Sequence, residues 1–186
     1  MSLALAILFA APTLAEEGWQ PSKRPYFQIL ATTLVGDGLR FNNPYRLATP
    51  LGSTAESVSR TSSYVDLGLA ATMGNPEGLQ HGLALRLSLA LEGVQQGVFV
   101  PGYIGWYRKK SFAAFARAGV PIVFPNPTWG LEASIGGAWF ARAGIGVALE
   151  MVGDVFYGAG TREKNVVSYP TLSAQAGLVI AYEVLP

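Results

Sequence analysis

The charged residues of this chain are few, and their spacing decides which chemistry they can do. Asp, Glu, Lys and Arg make up 13% of the residues, against about 25% in a typical soluble domain. Side chains two residues apart on a strand share a face. Apart from Arg108 at the border of a connector, seven charged residues lie in segments of alternating pattern, out of phase with the aliphatic side chains: Asp66, Arg86, Glu92, Arg117, Glu132, Glu150 and Glu183. This pattern predicts one network in which arginines neutralise carboxylates.

The other residue types offer little catalytic chemistry. Cysteine is absent, which excludes disulfides, thiolate metal sites and cysteine nucleophiles. The only histidine, His81, shares the phase of the leucines, and no serine lies beside it on that face. The Gly-rich steps at 36–38 and 157–161 are not phosphate-binding loops, and no metal-ligand spacing occurs. An alternative is a catalytic pair of carboxyl groups formed among Glu92, Glu132 and Glu150. We expect a protein that is not an enzyme and has no cofactor.

The elements that position these charges are strands. In 81–92, "HGLALRLSLALE", leucine occupies every second position from Leu83 to Leu91. Such alternation predicts a strand with one apolar face. The same period of two recurs in eight segments: 26–35, 63–73, 79–92, 98–108, 112–122, 129–140, 143–152 and 171–184.

The connectors between these segments largely alternate in length. The connectors at 74–78, 108–111 and 141–144 are tight, whereas 36–62 and 153–170 are long. Hairpins with a turn end and a loop end give this alternation. No long helical pattern or linker occurs, so we expect one domain over 16–186.

The strands of a soluble β-sandwich also alternate apolar and polar residues. Separate evidence is therefore needed to decide whether the apolar face contacts lipid or a protein core. The non-aliphatic face carries mainly glycine, alanine and scattered charges, and lysine is absent from all eight segments. Small residues with a few ions suit a crowded barrel interior, and about ten tilted residues cover about 25 Å of lipid. We therefore expect the leucines to face lipid and Arg86 to face inward.

Aromatic residues gather at the segment ends, which predicts two girdles at the membrane interfaces. The up-and-down order of the segments assigns one set to the end with the tight connectors: Tyr26, Phe27, Trp106, Tyr107, Phe112, Trp139, Phe140 and Tyr182. It assigns a smaller set to the opposite end: Tyr64, Phe99, Trp129 and Tyr169. His81 is interpreted as an interfacial residue.

The pattern resembles the small eight-stranded outer-membrane barrels of the OmpA/OmpX class. The resemblance implies an all-β, eight-stranded antiparallel up-and-down transmembrane β-barrel, surrounded by outer-membrane lipids. The C-terminal strand resembles the signal read by the barrel-assembly machinery, through Gln175, Gly177, Ile180 and Tyr182. That signal usually ends on an aromatic residue, whereas "EVLP" follows here.

The N-terminal segment 1–15 is apolar and uncharged and ends in small residues. It resembles a signal peptide cleaved after Ala15, although no lysine or arginine precedes its apolar run. Export and integral insertion into a bacterial outer membrane are expected. The formal net charge of +1 offers no case for nucleic acid.

Three functions remain open on the sequence. The first is a structural role or binding through the long loops, with these candidates: Phe41, Tyr45, Arg46, Phe156, Tyr157 and Arg162. These aromatic residues would alternatively pack over the barrel mouth. The second is a narrow channel for small or apolar solutes, with Phe99, Tyr103 and Tyr107 expected to point inward and partly fill the lumen. The third is a lipid-modifying enzyme.

Overall fold

The computed structural model describes residues 26–41, 58–93, 96–125, 128–142, 144–157 and 168–184. Within these ranges no helix is long and apolar enough to cross a membrane. The described strands are β1 Tyr26–Phe41, β2 Val58–Arg60, β3 Tyr64–Gly74, β4 Leu79–Ala90, β5 Gly97–Lys109, β6 Phe112–Gly119, β7 Ile122–Phe124, β8 Thr128–Arg142, β9 Ile145–Tyr157 and β10 Ser168–Val184.

The strands form a closed antiparallel barrel. Each long strand pairs with its neighbours in sequence, and β10 closes the sheet by pairing with β1 from Phe27–Val184 to Arg40–Thr171. The short β2 continues β3 along β1, and the short β7 continues β6 between β5 and β8. The ten strands therefore occupy eight positions around the barrel, and the predicted fold class is confirmed. Closure pairs the backbone N–H and C=O groups of both sheet edges, and lipid could not have formed hydrogen bonds with these groups.

Two prolines explain the break between β6 and β7. Pro101 and Pro121 lie on facing stretches of the wall, and proline has no N–H to donate to a ladder. Their carbonyls still accept, from Val120 N at 3.0 Å and from Gly130 N at 3.0 Å. The β5–β6 and β5–β7 pairings therefore keep one register across the break.

The two ends of the barrel differ. Three tight turns and both described termini lie at one end, which we call the turn end. Two of these turns need glycine, because Gly74 has a φ of 147° and Gly144 a φ of 76°. The longer connections lie at the opposite end, which we call the loop end, and much of their length falls outside the described residues.

The outer face of the barrel is apolar. Leu83, Leu85, Leu87 and Leu89 of β4 all point outward, and Leu83 is 71% exposed. Similar rows cover the other strands, for example Ile145, Val147, Leu149 and Met151 of β9. An apolar surface of this extent is far larger than the patches that soluble monomers expose. The facing predicted for the leucines is the one observed.

The facing predicted for β5 was wrong. Tyr103 and Tyr107 point outward, each 50% exposed, whereas Val100, Ile104 and Trp106 point inward. Phe99 shares the outward phase because it pairs directly with Leu87. This strand has large side chains on both faces and no central charge, so its own sequence does not define its phase. The register with the leucines of β4 decides it.

An apolar core lies in the half of the lumen towards the turn end. Trp106 is 2% exposed, and its ring lies 5.4 Å from that of Phe115 and 6.1 Å from that of Phe140. Leu30 and Val179 complete the contact from β1 and β10. Trp106 and Phe140 were expected in a girdle, and the inward phase of their strands places them in this core instead.

The other aromatic residues assigned to the girdles also divide between the outer face and the interior. Tyr107, Phe112, Trp139 and Tyr182 are exposed on the outer face at the turn end, as expected, and Trp129 is exposed at the loop end. Tyr64, however, points inward and donates its hydroxyl to Ser173 Oγ at 2.9 Å. Tyr26 shares the inward phase of Gln28, and its hydroxyl is buried. The side chain of Tyr169 is outside the described set.

Candidate functional site

A buried ionic cluster crosses the lumen above the apolar core, on the side of the loop end. Arg86 extends from β4 across the lumen, with its Nε 3.0 Å from Asp66 Oδ2 and its Nη2 on Glu132. Its side chain is 6% exposed, and its two partners are at most 3% exposed. Ser88 donates to Asp66 at 2.9 Å. One guanidinium therefore serves carboxylates from two sides of the barrel.

A second pair completes the cluster. Arg117 contacts Glu150 through two nitrogens, with Nε 2.8 Å from Oε1. Gln175 donates to the same carboxylate at 2.7 Å. The Arg117 guanidinium also lies 5.9 Å from the centre of the Phe115 ring, at the boundary with the apolar core. Arg117 and Glu150 thus satisfy each other by pairing and hydrogen bonding, which a low-dielectric interior requires.

Two of the seven predicted network residues lie outside this cluster. Glu92 follows β4 at the loop end and is 57% exposed. Glu183 lies near the turn end, is 51% exposed, and has its carboxylate 3.7 Å from Arg108 Nη1. Alternation gives each residue a face but not its height along the barrel, so the sequence pattern grouped residues that belong to three levels.

Glu92 contributes to the loop end in a different way. It accepts hydrogen bonds from the Ser63 backbone N–H at 3.1 Å and from the Ser63 hydroxyl at 3.0 Å. These hydrogen bonds hold the pKa of Glu92 below its ordinary value. Arg60 lies nearby and pairs with Asp37. The two contacts tie the β2–β3 junction to its neighbouring strands.

Sequence reasoning missed an acidic residue beside the cluster. Asp154 had been assigned to the connector 153–170, but β9 continues to Tyr157 and turns Asp154 inward. The register pairs Arg40 with Thr171, Thr171 with Asp154, and Asp154 with Glu132, which makes one polar row across four neighbouring strands. The inward alternation of Glu150, Val152 and Asp154 was the signal that could have found it.

A cavity lies above this row at the loop end, which we call the mouth cavity. It has a volume of about 120 Å³ and is lined by Arg86, Glu132 and Asp154 at its charged side. Hydroxyl side chains of Ser88, Thr171 and Ser173 line it as well. Below it, two further cavities measure about 20 Å³ and about 10 Å³, each with room for about one water molecule.

The described candidates for loop binding belong to strands rather than to free loops. Phe41 ends β1 and is half-buried. Phe156 is 7% exposed and lines the mouth cavity, and Tyr157 packs against Trp129 with ring centres 5.1 Å apart. The other three candidates lie outside the described residues: Tyr45, Arg46 and Arg162.

The remaining residues singled out from the sequence take these positions. Gln175 points inward onto Glu150, whereas Ile180 and Tyr182 are exposed on the outer face. Gly177 lies in the middle of β10 with its backbone against β1. His81 is exposed on the outer face near the turn end, with its ring 6.1 Å from that of Tyr103. Among the described residues no group of three or more His, Cys, Asp or Glu side chains could hold a metal ion.

Comparison with known proteins supports the fold. No protein-family model and no curated protein sequence matches the chain. The crystal structure of Neisserial surface protein A is similar, with a TM-score of 0.51 and 10% identity, over 83% of this chain and 96% of that chain. At this identity the likeness shows the fold, which is that of a small eight-stranded outer-membrane barrel.

Two further structures are similar at lower scores. A de novo designed transmembrane β-barrel has a TM-score of 0.43 and 12% identity, over 86% of this chain and 95% of that chain. The outer-membrane protein OprG from Pseudomonas aeruginosa has a TM-score of 0.41 and 11% identity, over 84% of this chain and 95% of that chain. Neither score reaches 0.5, so neither adds to the argument.

Proposed function

We propose that the protein is an integral bacterial outer-membrane barrel with a structural or binding role at its loop end, rather than a channel or an enzyme. The observation that carries this proposal is the inverted polarity of the barrel. Exposed leucine, isoleucine and valine side chains cover the outer wall, while the interior contains the paired charges of Arg86 and Arg117. Hydrocarbon is the solvent that suits such an outer wall.

The filled lumen supports binding over transport. Trp106, Phe115 and Phe140 pack together below the ionic cluster. The cavities at this level have room for about one water molecule each. A solute in the mouth cavity would have to displace both the ion pairs and the aromatic core to pass. We therefore expect no channel openings for the purified protein in planar lipid bilayers, and regular conductance steps would contradict the proposal.

The orientation and location can be tested with engineered thiols, because the chain has no cysteine. Gln96 is exposed at the loop end, and Glu77 is exposed at the turn end. In intact cells a membrane-impermeant maleimide should label Gln96→Cys but not Glu77→Cys. Permeabilising the outer membrane should make Glu77→Cys reactive. Labelling of Glu77→Cys alone in intact cells would reverse the orientation, and recovery of both variants in the soluble fraction would exclude membrane insertion.

The exported precursor and contact with the barrel-assembly machinery remain part of this proposal. Tyr182 and Ile180 lie on the outer face of the closing strand, where an assembly factor could contact them before β10 pairs with β1. Replacing Tyr182 by alanine should slow the appearance of the heat-modifiable form in cells. A matched change of the outward Tyr103 on β5 should leave this rate unchanged. Equal delays in both variants would remove the assembly role of the C-terminal strand.

A further inference from the structure

The groups around the ionic cluster and the mouth cavity carry unequal charge. They are the carboxylates Asp66, Glu132, Glu150 and Asp154 and the guanidiniums Arg40, Arg86 and Arg117. Glu150 is matched by Arg117, and Arg86 is shared between Asp66 and Glu132. With four carboxylates and three guanidiniums, the set has one formal negative charge in excess.

The acidic side of the cavity consists of two adjacent carboxyl groups. Glu132 and Asp154 are paired in register on β8 and β9, which brings their side chains close together on the inner face. Thr171 donates to Asp154 Oδ2 at 2.9 Å, and Asp154 is also hydrogen-bonded to Glu132. Two neighbouring carboxylates that face a cavity need one positive charge between them, from a proton or from a bound cation.

Arg86 lines the same cavity. Arg86 is 6% exposed, and its Nη1 has no hydrogen-bond partner among the described residues. Because the guanidinium is cationic, this part of the cavity wall favours a ligand with an oxygen acceptor over a bare metal ion. The hydroxyl groups of Ser88 and Ser173 add further donors and acceptors on the cavity wall.

From this arrangement we propose that the mouth cavity binds a small hydroxylated amine, with the ammonium group on Glu132 and Asp154 and the hydroxyl on Arg86. The volume of about 120 Å³ suits a molecule of a few non-hydrogen atoms. The inference rests on the proposed function in that it makes the loop end the binding end. It deepens that function by naming the chemistry of the ligand.

Methyl-resolved NMR of the folded protein in detergent micelles tests this proposal. Val98 and Val152 line the cavity and report on binding, while Leu30 in the apolar core is the internal reference. Saturable shifts of the two valines should appear with 2-aminoethanol and more weakly with ethylammonium. Ethylene glycol and acetate should cause little change. An absence of shifts with 2-aminoethanol, equal shifts with ethylene glycol, or stronger shifts with acetate would each overturn the proposal.

Phosphoethanolamine distinguishes the two sources of such an amine. Shifts with 2-aminoethanol alone indicate a free amine, and shifts with both compounds indicate that a lipid headgroup also fits. Either result supports the amine chemistry. Because the measurement uses micelles, it does not depend on where the protein lies in the cell. Failure of amine binding is therefore distinguishable from failure of the proposed location, which the cysteine labelling tests.

Two aspartate variants separate the cavity from its surroundings. Asp154→Asn removes the excess charge and should weaken binding of 2-aminoethanol by at least about tenfold. Asp37→Asn is the matched control, because Asp37 is an aspartate of the loop end that pairs with Arg60 outside the cavity. It should keep the wild-type dissociation constant. Unchanged binding in folded Asp154→Asn would overturn the proposal, and the order of affinities in the wild-type protein tests it without any variant.

Discussion

Replacing Arg86 by leucine removes the cation that two buried carboxylates share at the centre of the barrel. The side chain is 6% exposed, and it faces Asp66 and Glu132, which are at most 3% exposed. In Arg86→Leu both carboxylates lose their common partner in a low-dielectric interior. Breaking a buried ion pair by removing one partner costs about 3–5 kcal/mol. The folding equilibrium constant should therefore fall by about two to four decades.

The measurement is reversible urea unfolding in lipid vesicles, followed by tryptophan fluorescence and by the shift between folded and unfolded bands on unboiled gels. Arg60→Leu is the matched control. Arg60 also pairs with an aspartate, but it is 62% exposed at the loop end. Exposed pairs contribute about 0–1 kcal/mol, so this variant should remain close to wild type.

A triple variant separates electrostatics from packing. Arg86→Leu combined with Asp66→Asn and Glu132→Gln removes the unpaired charges while it keeps the shortened side chain at position 86. Neutral replacement of a complete buried ion set is often tolerated, so the triple variant should recover at least about 2 kcal/mol of the loss. If Arg86→Leu were no less stable than Arg60→Leu, or if the triple variant recovered nothing, the pairing would not be what stabilises the interior.

Five further substitutions test the assigned faces and one turn. Leu87→Arg should cost about 2–4 kcal/mol in vesicles, whereas Leu91→Arg, beyond the end of β4, should cost about 0–1 kcal/mol; equal costs in urea titrations would contradict the lipid-facing assignment. Trp106→Ala should lower the free energy of unfolding by about 3–5 kcal/mol, and Tyr107→Ala should lower it clearly less. The reverse order would show that Tyr107, and not Trp106, points into the lumen. Gly144→Ala should cost at least about 1 kcal/mol, because its φ is 76° and the new Cβ would meet a backbone oxygen of β10; an unchanged urea midpoint would show that the turn relaxes.

Much of the fold could be predicted because the two faces of most strands differ strongly. On β4 the leucines alternate with Ala84, Arg86 and Ser88, so a shift by one residue would expose a charge to lipid. Such a strand has one acceptable facing. On β5 both faces carry large side chains, so the sequence of the strand alone does not distinguish its two possible facings. The neighbouring leucines, through the register, determine that Trp106 lies inside.

The charge network could be predicted in part for a related reason. The period of two assigns Asp66, Arg86 and Glu132 to the interior, and the barrel brings them together. It does not report how far along the barrel each residue lies. Glu92 and Glu183 have the correct phase, but they lie at opposite ends of the barrel.

The sequence by itself determined the apolar outer wall and the inward direction of the central charges, because alternation with period two is a local property of each strand. Only the tertiary structure decided which charges meet, that β9 carries Asp154 into the mouth, and that an aromatic core packs in the lumen below the charges. These depend on the stagger between neighbouring strands. Stagger is set by closure of the whole barrel, so no single strand encodes it.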